Sequence, residues 1–421
     1  MIGPIRLDGK KIVLGVSGSV AAYKACDLAR LFVKSGATVR VVMTPSAERF
    51  VSPLTFEALT GQEVLTQRNE SWAEDHNHIA LGEWADLFIV APATANTLNK
   101  MASGIADNLL LQTALAFGRW ILLAPAANTR MIEHPTTVAN LKRLALHRIA
   151  IVEPQNKLLA CGTEGNGAMA EPETIFFHAL KYLLGDDYWQ DRRVVVTGGG
   201  TIEKIDEVRY LGNFSSGKMA QALALALYAK GADVCLVTTV APKTPLPIHV
   251  IEVQSAQEML DYTADALRVA KKGLLKKPSF HTDFDQPRLV QKTPWLMMAA
   301  AVADYRPAHP QQGKLKKETL GERWCLELVQ NPDILKSLDR EGVKTLAFKA
   351  EMEPERALEN ARKLLTDKKV DAVALNVLEG SKSFGTDEHA LTLVTPASTV
   401  ELSKAPKTTL AMDLLERLES L

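Results

Sequence analysis

Alternating apolar and small-residue segments at the start of the chain predict a β-α-β unit. An apolar run from Ile12 to Leu14 reaches a Gly/Ser turn, and a second apolar run follows Ser35 and Gly36. Between them, four apolar positions fall on one face of a helix: Ala21, Ala25, Leu28 and Phe32. Strand, helix and strand in this order form the unit from which parallel sheets are built.

The same pattern returns in the second half of the chain. RVVVTGGGT (193–201) and DVCLVTT (233–239) read as strands, and MAQALALALYAKGA between them reads as a helix that ends near Gly231. Further buried strands are predicted in ADLFIVAPAT, RWILLAPAAN, WLMMAAAVADYRP, KTLAFKAE and VDAVALN. We therefore expect an α/β protein with two parallel-sheet, Rossmann-like domains that bind ligands at the carboxyl ends of their strands.

The segment KYLLGDDYWQDRR (181–193) reads as a helix end followed by a charged linker. It places the domain boundary near residues 185–192, with domains at 1–188 and 189–421. A polar, lysine-bearing stretch at 264–294 reads as a solvated helix face and loop.

Composition narrows the possible partners. The 421 residues include 49 basic and 49 acidic ones, so the net charge is zero and no global field attracts nucleic acid or a membrane. Small-molecule substrates become the expected ligands. The four cysteines have no Cys-x-x-Cys spacing, and no apolar run approaches 18 residues. We expect a protein of the reducing cytoplasm.

Three segments of the first half carry candidate chemistry. GVSGSVAAYK (15–24) is either a simple tight turn or an anion site at a helix N-terminus. His76 and His78 precede a helix, where a capping or surface role is the ordinary alternative to an active-site role. Cys161 shares a loop with three glycines, which suggests a mobile lid that brings the thiol to a ligand.

GNFSSGKM (212–219) satisfies G-x-x-x-x-G-K but has Met219 where a P-loop has Ser or Thr. The motif is also separated from the preceding strand by about a dozen residues, and methionine does not bind a hard cation such as Mg²⁺. The agreement with a P-loop is therefore a chance match.

The first half resembles the flavin-dependent phosphopantothenoylcysteine decarboxylases in GSVAAYK, NHIALGEWADLFIVAPATANT, KMASGIADNLL, APAANTRM and ACGTEGNGAM. The resemblance implies an FMN-binding α/β domain in which the flavin takes up and returns the electron pair of the substrate thiol. It implies that His78 is a base or orienting residue, that Asn128 holds the substrate carboxylate and that Cys161 donates a proton. It assigns six positions to FMN: Ser17, Gly18, Ser19, Thr44, Thr94 and Asn96.

The second half resembles the phosphopantothenate–cysteine ligases in RYLGNFSSGKM, AAVADY, KLKK and NPDI. The resemblance implies that a carboxylate attacks the α-phosphate of CTP and that cysteine then displaces CMP. It assigns Asn213 to the acyl-cytidylate, Arg209 to the second step or to substrate positioning, and Lys314 to the phosphates, with Mg²⁺ at Asp304. The positions that it assigns to CTP are Ser215, Gly217, Lys218, Ala301, Asp304, Lys314, Pro332, Asp333, Ile334, Leu335, Phe348 and Lys368.

Several residues depart from these family patterns. Ala127 stands where methionine is usual, Ala168 where arginine is usual, and Val377 where an acid is usual. Gly200 and Glu207 replace prolines, from which we expect a more mobile loop.

The resemblance also implies a homo-oligomer that combines ligase dimers and decarboxylase trimers, up to a dodecamer. Two alternatives stay open at this point: a decarboxylase of another thiol acid, such as a peptide C-terminal cysteine, and a non-enzymatic flavin-binding scaffold. The choice between CTP and ATP is open as well.

Overall fold

The computed structural model describes residues 5–73, 76–159, 162, 164–242, 247–276, 286–378 and 385–421. The chain divides into two compact units. The N unit contains the described residues of Arg6–Gly185, together with Lys276 and 286–288. The C unit contains Ile5 and the described residues of Asp186–Leu275 and Leu289–Leu421.

The N unit is built on a five-stranded parallel sheet in the order β2-β1-β3-β4-β5. Its strands are β1 Lys11–Val16, β2 Thr38–Met43, β3 Leu87–Ala93, β4 Ile121–Pro125 and β5 Ile149–Ile151. A separate antiparallel hairpin consists of β6 Gln155–Leu158 and β7 Glu164–Ala168. Strand β3 is buried at every position, as expected for a central strand of a parallel sheet.

The helices of the N unit are α1 Ala22–Lys34, α2 Pro53–Thr60, α3 His78–Trp84, α4 Ala95–Ala102, α5 Leu109–Ala116, α6 Thr129–Ile132, α7 Pro135–Leu144 and α8 Pro172–Leu184, with a 3₁₀ turn at Ala47–Arg49. Five of them begin at side chains that accept hydrogen bonds from the first-turn amides: Asn77, Thr94, Asn108, Asn128 and His134. Such caps satisfy backbone N–H groups that have no partner within the helix. They fix where each helix starts above the sheet.

The C unit has an eight-stranded sheet in the order β12-β11-β8-β15-β18-β19-β20-β21. The first six strands are parallel, whereas β20 and β21 are antiparallel. The strands are β8 Arg193–Gly198, β11 Asp233–Thr238, β12 His249–Glu252, β15 Trp295–Met298, β18 Lys344–Glu351, β19 Ala372–Val377, β20 Glu388–Val394 and β21 Thr399–Pro406. The predicted parallel sheet is confirmed, and the sequence pattern missed its antiparallel edge.

Short pairs and helices complete the C unit. Two pairs lie in the C unit: β9 Glu203–Lys204 with β10 Tyr210–Leu211, and β16 Tyr305–Pro307 with β17 Leu328–Gln330. A further pair, β13 Leu274–Lys276 with β14 Arg288–Val290, includes Lys276 and Arg288 of the N unit. The helices are α9 Lys218–Ala229, α10 Ala256–Ala270, α11 Lys317–Leu320, α12 Ile334–Ser337, α13 Pro354–Asp367 and α14 Lys407–Leu418. In the part of the chain that the structure describes, no helix of either unit combines the length and apolar character needed to cross a bilayer.

The segment interpreted as a linker is packed into the C unit. Trp189 is fully buried, and its Nε1 donates to Glu419 Oε1 over 3.1 Å. Lys230 Nζ bonds to Asp186 Oδ2 (2.7 Å) and to Glu419 Oε1 (3.1 Å). The charges that suggest a linker therefore form an ion-pair network around a buried tryptophan. The two units divide between Gly185 and Asp186.

Candidate active sites

The N unit has a cavity of about 610 Å³ beyond the carboxyl ends of β1, β2 and β3. Five of the six predicted FMN residues line it: Gly18, Ser19, Thr44, Thr94 and Asn96. The Ser19 hydroxyl accepts a hydrogen bond from Ala21 N (3.2 Å), just before α1 begins. Hydroxyl groups beside the first turn of a helix suit a phosphate group. The lining therefore fits the phosphate end of a flavin mononucleotide.

Ser17 and Gly18 shape the cavity in different ways. The buried Ser17 Oγ donates to Pro92 O (2.7 Å) and accepts from Thr94 N (3.0 Å), so this residue joins the end of β1 to the end of β3. A Cβ at Gly18 would lie 2.5 Å from Ser46 Cβ. Ser17 thus holds the neighbouring loops in place without lining the cavity.

The predicted decarboxylase residues do not gather at this cavity. His78 is the first residue of α3, and its Nδ1 lies 3.1 Å from Glu70 Oε1, with Trp72 packed edge-on against the ring. Asn128 caps α6 through a hydrogen bond from Arg130 N (2.9 Å). Neither residue is part of the cavity lining, although Ala127 is. Cys161 lies outside the described residues.

The glycines of the β6–β7 hairpin have a packing role. A Cβ at Gly165 would overlap Thr129 Oγ1, and one at Gly167 would overlap the carbonyl oxygen of Ala127. Ala127 N also donates to Gly167 O over 3.0 Å. The two glycines let the hairpin lie directly against the loop that carries Asn128. This close approach accounts for two of the three glycines on which the predicted lid rests, whereas a Cβ at Gly162 would meet no atom within 4 Å.

The C unit has a cavity of about 620 Å³ where the loop before α9 meets the ends of β15, β18 and β19. Almost all predicted ligase residues line it: Asn213, Ser215, Gly217, Lys218, Ala301, Asp304, Pro332, Asp333, Ile334, Leu335, Phe348 and Lys368. These residues come from five separate segments of the sequence. The topology of the sheet brings them together around one cavity.

The GNFSSGKM loop is held against the sheet by its own backbone and by Asn213. Asn213 Nδ2 donates to Val302 O over 2.9 Å. A Cβ at Gly200 would overlap the Asn213 carbonyl oxygen, so glycine at position 200 permits this contact. Gly217 has a positive φ of 67° where α9 begins, a conformation that favours glycine. The loop thus turns directly into the helix beside the cavity.

An ion pair forms another part of the wall. Lys368 Nζ donates to Asp333 Oδ2, and Asp333 also accepts from Lys336 N (3.2 Å) at the start of α12. Burial raises the pKa of Asp333, but the Lys368 and Lys336 hydrogen bonds outweigh it, and the pKa is lowered overall. Asp333 is therefore ionised at neutral pH and pairs with Lys368 beside the cavity.

Arg209 and Lys314 are absent from the lining of this cavity. The Arg209 guanidinium donates to Asp206 Oδ2 (2.5 and 3.1 Å) and to Leu315 O (3.1 Å), and it lies over the ring of Trp324. Lys314 is exposed, next to Leu315. The structure therefore brings these two predicted residues near one another but not to the nucleotide residues.

Asp206 organises that second group of residues, a role that was not predicted from the sequence. Its buried carboxylate accepts from the amides of Val208, Arg209 and Leu315, in addition to the Arg209 guanidinium. The pKa of Asp206 lies well below the ordinary value for aspartate, chiefly because of the hydrogen bond from Arg209. One carboxylate thus joins the Arg209 turn to the loop of Lys314. The D-x-x-R spacing was the signal available in the sequence.

Two departures from the family pattern have a structural explanation. Glu207 N donates to Gly313 O over 3.2 Å, a bond that proline cannot make, so the substitution adds a link instead of the expected mobility. Asn376 and Leu378 line the cavity but Val377 does not, as expected for alternating side chains at a strand end. The absence of an acid at Val377 therefore removes no group from the lining.

Comparison with known proteins assigns both halves of the chain. The Flavoprotein family profile matches residues 4–182, and the profile "DNA/pantothenate metabolism flavoprotein C-terminal domain" matches 189–273 and 286–421. The coenzyme A biosynthesis bifunctional protein CoaBC of Vibrio vulnificus is 36% identical over 99% of this chain and 98% of its own length. The protein of the same name from Bacillus subtilis is 37% identical over 92% of this chain and 91% of its own length.

Two solved structures also match single halves of the chain. The FMN binding protein AtHal3 is 38% identical, with a TM-score of 0.37, over 40% of this chain and 94% of its own. A C-terminal domain of coenzyme A biosynthesis bifunctional protein CoaBC is 28% identical, with a TM-score of 0.41, over 56% of this chain and 97% of its own.

Proposed function

The chain belongs to the family of bifunctional coenzyme A biosynthesis proteins, which combine a decarboxylase with a ligase, and from this premise we propose how its residues divide the work. The C unit joins 4′-phosphopantothenate to cysteine with CTP, and the N unit decarboxylates the 4′-phosphopantothenoylcysteine formed. Accordingly, the functional domains are residues 1–188 and 189–421. The observation that carries the proposal is the gathering of the predicted nucleotide residues in one cavity of the C unit.

In the ligase reaction, the substrate carboxylate attacks the α-phosphorus of CTP and pyrophosphate leaves with the electron pair of the broken P–O bond. The cysteine amine then attacks the acyl carbon of the acyl-cytidylate, CMP leaves and the amine loses a proton. Asn213 holds the activated carboxyl group, and Ser215, Lys218 and Lys368 bind the nucleotide. Positioning and charge neutralisation supply most of the catalysis, because the protein forms no covalent bond with the substrate.

Mg²⁺ binds at Asp304 together with the nucleotide phosphates. Asp304 lines the cavity and is exposed. Within the described ranges, no cluster of three or more His, Cys, Asp or Glu residues could hold a metal alone. A site with one carboxylate, with phosphate oxygens and water as its other ligands, is typical of Mg²⁺.

Arg209 and Lys314 act in the second step, when cysteine displaces CMP. Both belong to the group of residues that Asp206 holds together. Two cations close to each other suit the negative charge that builds up on a departing nucleotide phosphate. Because they stand outside the cavity lining, we infer that they reach the nucleotide phosphate where it extends beyond the lining.

In the N unit, FMN binds with its phosphate at Ser19, Thr44 and Thr94, and Gly18 and Asn96 complete the contacts. When bound, FMN supplies the two-electron oxidation of the substrate thiol and its later reversal. Asn128 holds the carboxylate that is lost, His78 orients the substrate or takes up a proton, and Cys161 donates the final proton. The Glu70 carboxylate at His78 Nδ1 keeps the ring in one orientation.

The enzyme is a homo-oligomer of the cytoplasm, with decarboxylase trimers and ligase dimers that combine up to a dodecamer. Large apolar side chains are exposed on the N unit, among them Tyr23 (59%), Phe50 (54%), Leu54 (68%) and Trp72 (68%). Phe50 also lines the N-unit cavity. A neighbouring copy that covers these residues would bring His78 and Asn128 of one chain to the cavity of another. Sedimentation analysis of the full chain tests this assembly.

One incubation tests both activities. The purified protein is given phosphopantothenate, cysteine, Mg²⁺ and either CTP or ATP, and the products are followed by mass. We expect phosphopantetheine with CTP and little product with ATP. Absence of phosphopantothenoylcysteine with both nucleotides would refute the ligase assignment. Accumulation of phosphopantothenoylcysteine by flavin-loaded protein would refute the decarboxylase assignment.

A further inference from the structure

One stretch of the C-unit cavity wall is formed by the first residues of two helices. Helix α9 begins at Lys218 and α14 begins at Lys407, and both lysines line the cavity. The preceding residues, Gly217 and Pro406, provide no side-chain cap. Helix N-termini carry partial positive charge, so a lysine at the first position is unfavourable without a nearby anion.

The Lys407 side chain is almost completely buried. The residue is only 6% exposed, and its Nζ donates to the neutral carbonyl oxygen of Thr386. Lys218 Nζ holds the same turn through Gly385 O (2.7 Å) and Asp387 Oδ1 (2.6 Å). The Asp387 carboxylate is thus paired with Lys218, whereas Lys407 is held by a neutral carbonyl oxygen. A buried ammonium group with this little compensation is costly unless an anion joins it.

Other cations of the cavity wall are compensated. Lys368 is paired with Asp333, and Lys349 lies 3.3 Å from Glu351. Among the described residues, Lys407 has no carboxylate within ion-pair distance. It is therefore the cation of the lining that gains most from an anionic ligand.

The charged groups around Lys407 come from three elements: Lys218 of α9, Asp387 and His389 near the start of β20, and Lys404 of β21. Burial and Lys218 lower the pKa of Lys407 to about 8, and Asp387 opposes them only in part. Burial, Lys407 and Lys404 lower the pKa of His389 to about 4, so this imidazole is neutral at pH 7. The group is therefore positive at neutral pH.

We propose that Lys407 binds a substrate phosphate group in the ligase reaction, together with Lys218 and the first turns of α9 and α14. The inference rests on the proposed function, which supplies two phosphate sources: the triphosphate of CTP and the phosphate of 4′-phosphopantothenate. Either one would give Lys407 the negative partner that the described residues do not supply at this place. No covalent step is involved.

The test is the affinity of the full chain for each ligand separately, measured by calorimetry at pH 7 and pH 9. Phosphate binds the protonated lysine, so wild-type affinity for one ligand falls by about 10-fold at pH 9, where roughly one-tenth of a group with a pKa near 8 is still charged. Lys407→Met loses about 10-fold at pH 7 and shows no further loss at pH 9. Lys407→Arg binds well at both pH values, because guanidinium stays charged.

The matched control is Lys404→Met, which removes the same charge from an exposed position outside the cavity lining. It should bind both ligands as the wild type does. If Lys407→Met binds both ligands as tightly as the wild type and with the same pH dependence, the inference is wrong but the proposed function still stands. Binding of neither ligand by the wild type would refute the proposed function and the inference with it. If Lys407→Met does not fold, the test rests on Lys407→Arg. If the phosphate affinity of Lys407→Arg falls between pH 7 and pH 9 as much as that of the wild type, Lys407 does not bind the phosphate.

Discussion

The two cavities differ in how many of the predicted site residues line them within a single chain. In the C unit, twelve predicted positions from five segments share one cavity. In the N unit, the cavity contains five FMN positions, whereas His78 and Asn128 lie elsewhere. A doubly wound sheet collects residues that follow its own strands. His78 begins a helix that precedes β3, so the sheet does not collect it in this way. Asn128 follows β4, but its side chain caps α6. The proposed assembly would complete the site of both residues.

The largest expected effect separates the two units. Asn213→Ala should lower ligation by about 10²- to 10³-fold, the usual cost of removing a group that stabilises a reacting carboxyl oxygen. Decarboxylation of supplied phosphopantothenoylcysteine should stay at the wild-type rate, since the N unit is untouched. Product analysis of each half-reaction measures both values. Equal loss of both activities would show that the two sites depend on one another.

The next effect concerns Asp206, which acts through Arg209 and the Lys314 loop. Asp206→Asn should lower the cysteine-dependent step by on the order of 10- to 100-fold by misplacing these groups. Formation of the acyl-cytidylate, measured as pyrophosphate release, should change little. The control is Asp265→Asn, which changes the same group at an exposed position of α10 without these contacts. Loss of pyrophosphate release in Asp206→Asn would contradict the division of roles.

The same substitution predicts a pH effect on stability. The folded pKa of Asp206 is below its ordinary value, so the stabilisation is complete above the unfolded pKa of about 3.9 and is lost as the pH falls below it. Thermal unfolding of the wild type should therefore shift to lower temperature between about pH 5 and pH 3. Asp206→Asn should show a smaller shift over this range. An identical pH profile in the two proteins would rule out Asp206 as a source of the acid sensitivity.

The hairpin of the N unit gives a test that depends on packing. Gly167→Ala places a methyl group against the Ala127 carbonyl oxygen and should cost about 1–3 kcal/mol, as overpacking does. Decarboxylation should fall as well, because the displaced loop carries Asn128. Gly118→Ala is the control, since a Cβ there meets no atom within 4 Å. A stable Gly167→Ala protein with full activity would restore the interpretation of these glycines as a mobile lid.

Sequence patterns predicted what depends on local order. The repeated β-α-β units, the parallel sheets and the strand-end positions of Ser19 and Asp304 all follow from apolar periodicity and family motifs. Other features depend on contacts between residues that are 100 or more positions apart in the sequence. Examples are the burial of Trp189, the hydrogen bonds of Asp206 and the position of Lys407 in the cavity. No local pattern encodes such contacts. For this reason the charged segment 181–193 was predicted to be a linker, although Asp186 within it belongs to an ion-pair network around the buried Trp189 ring.

The smallest expected effect distinguishes two serines that the family resemblance assigns to the same cofactor. Ser17 Oγ bonds to Pro92 O and Thr94 N and is buried, whereas Ser19 lines the cavity. Ser17→Ala should destabilise the protein without flavin by about 1–2 kcal/mol, because Thr94 N and Pro92 O lose a buried partner. Ser19→Ala loses only the hydrogen bond from Ala21 N at a part-buried turn, so it should cost less stability than Ser17→Ala. It should weaken FMN binding by about 1 kcal/mol, roughly 5-fold. Chemical unfolding of the flavin-free protein and fluorescence titration with FMN measure the two quantities. If Ser17→Ala alone weakens FMN binding while stability is unchanged, its hydroxyl contacts the cofactor directly, and the positioning role inferred from its two hydrogen bonds is wrong.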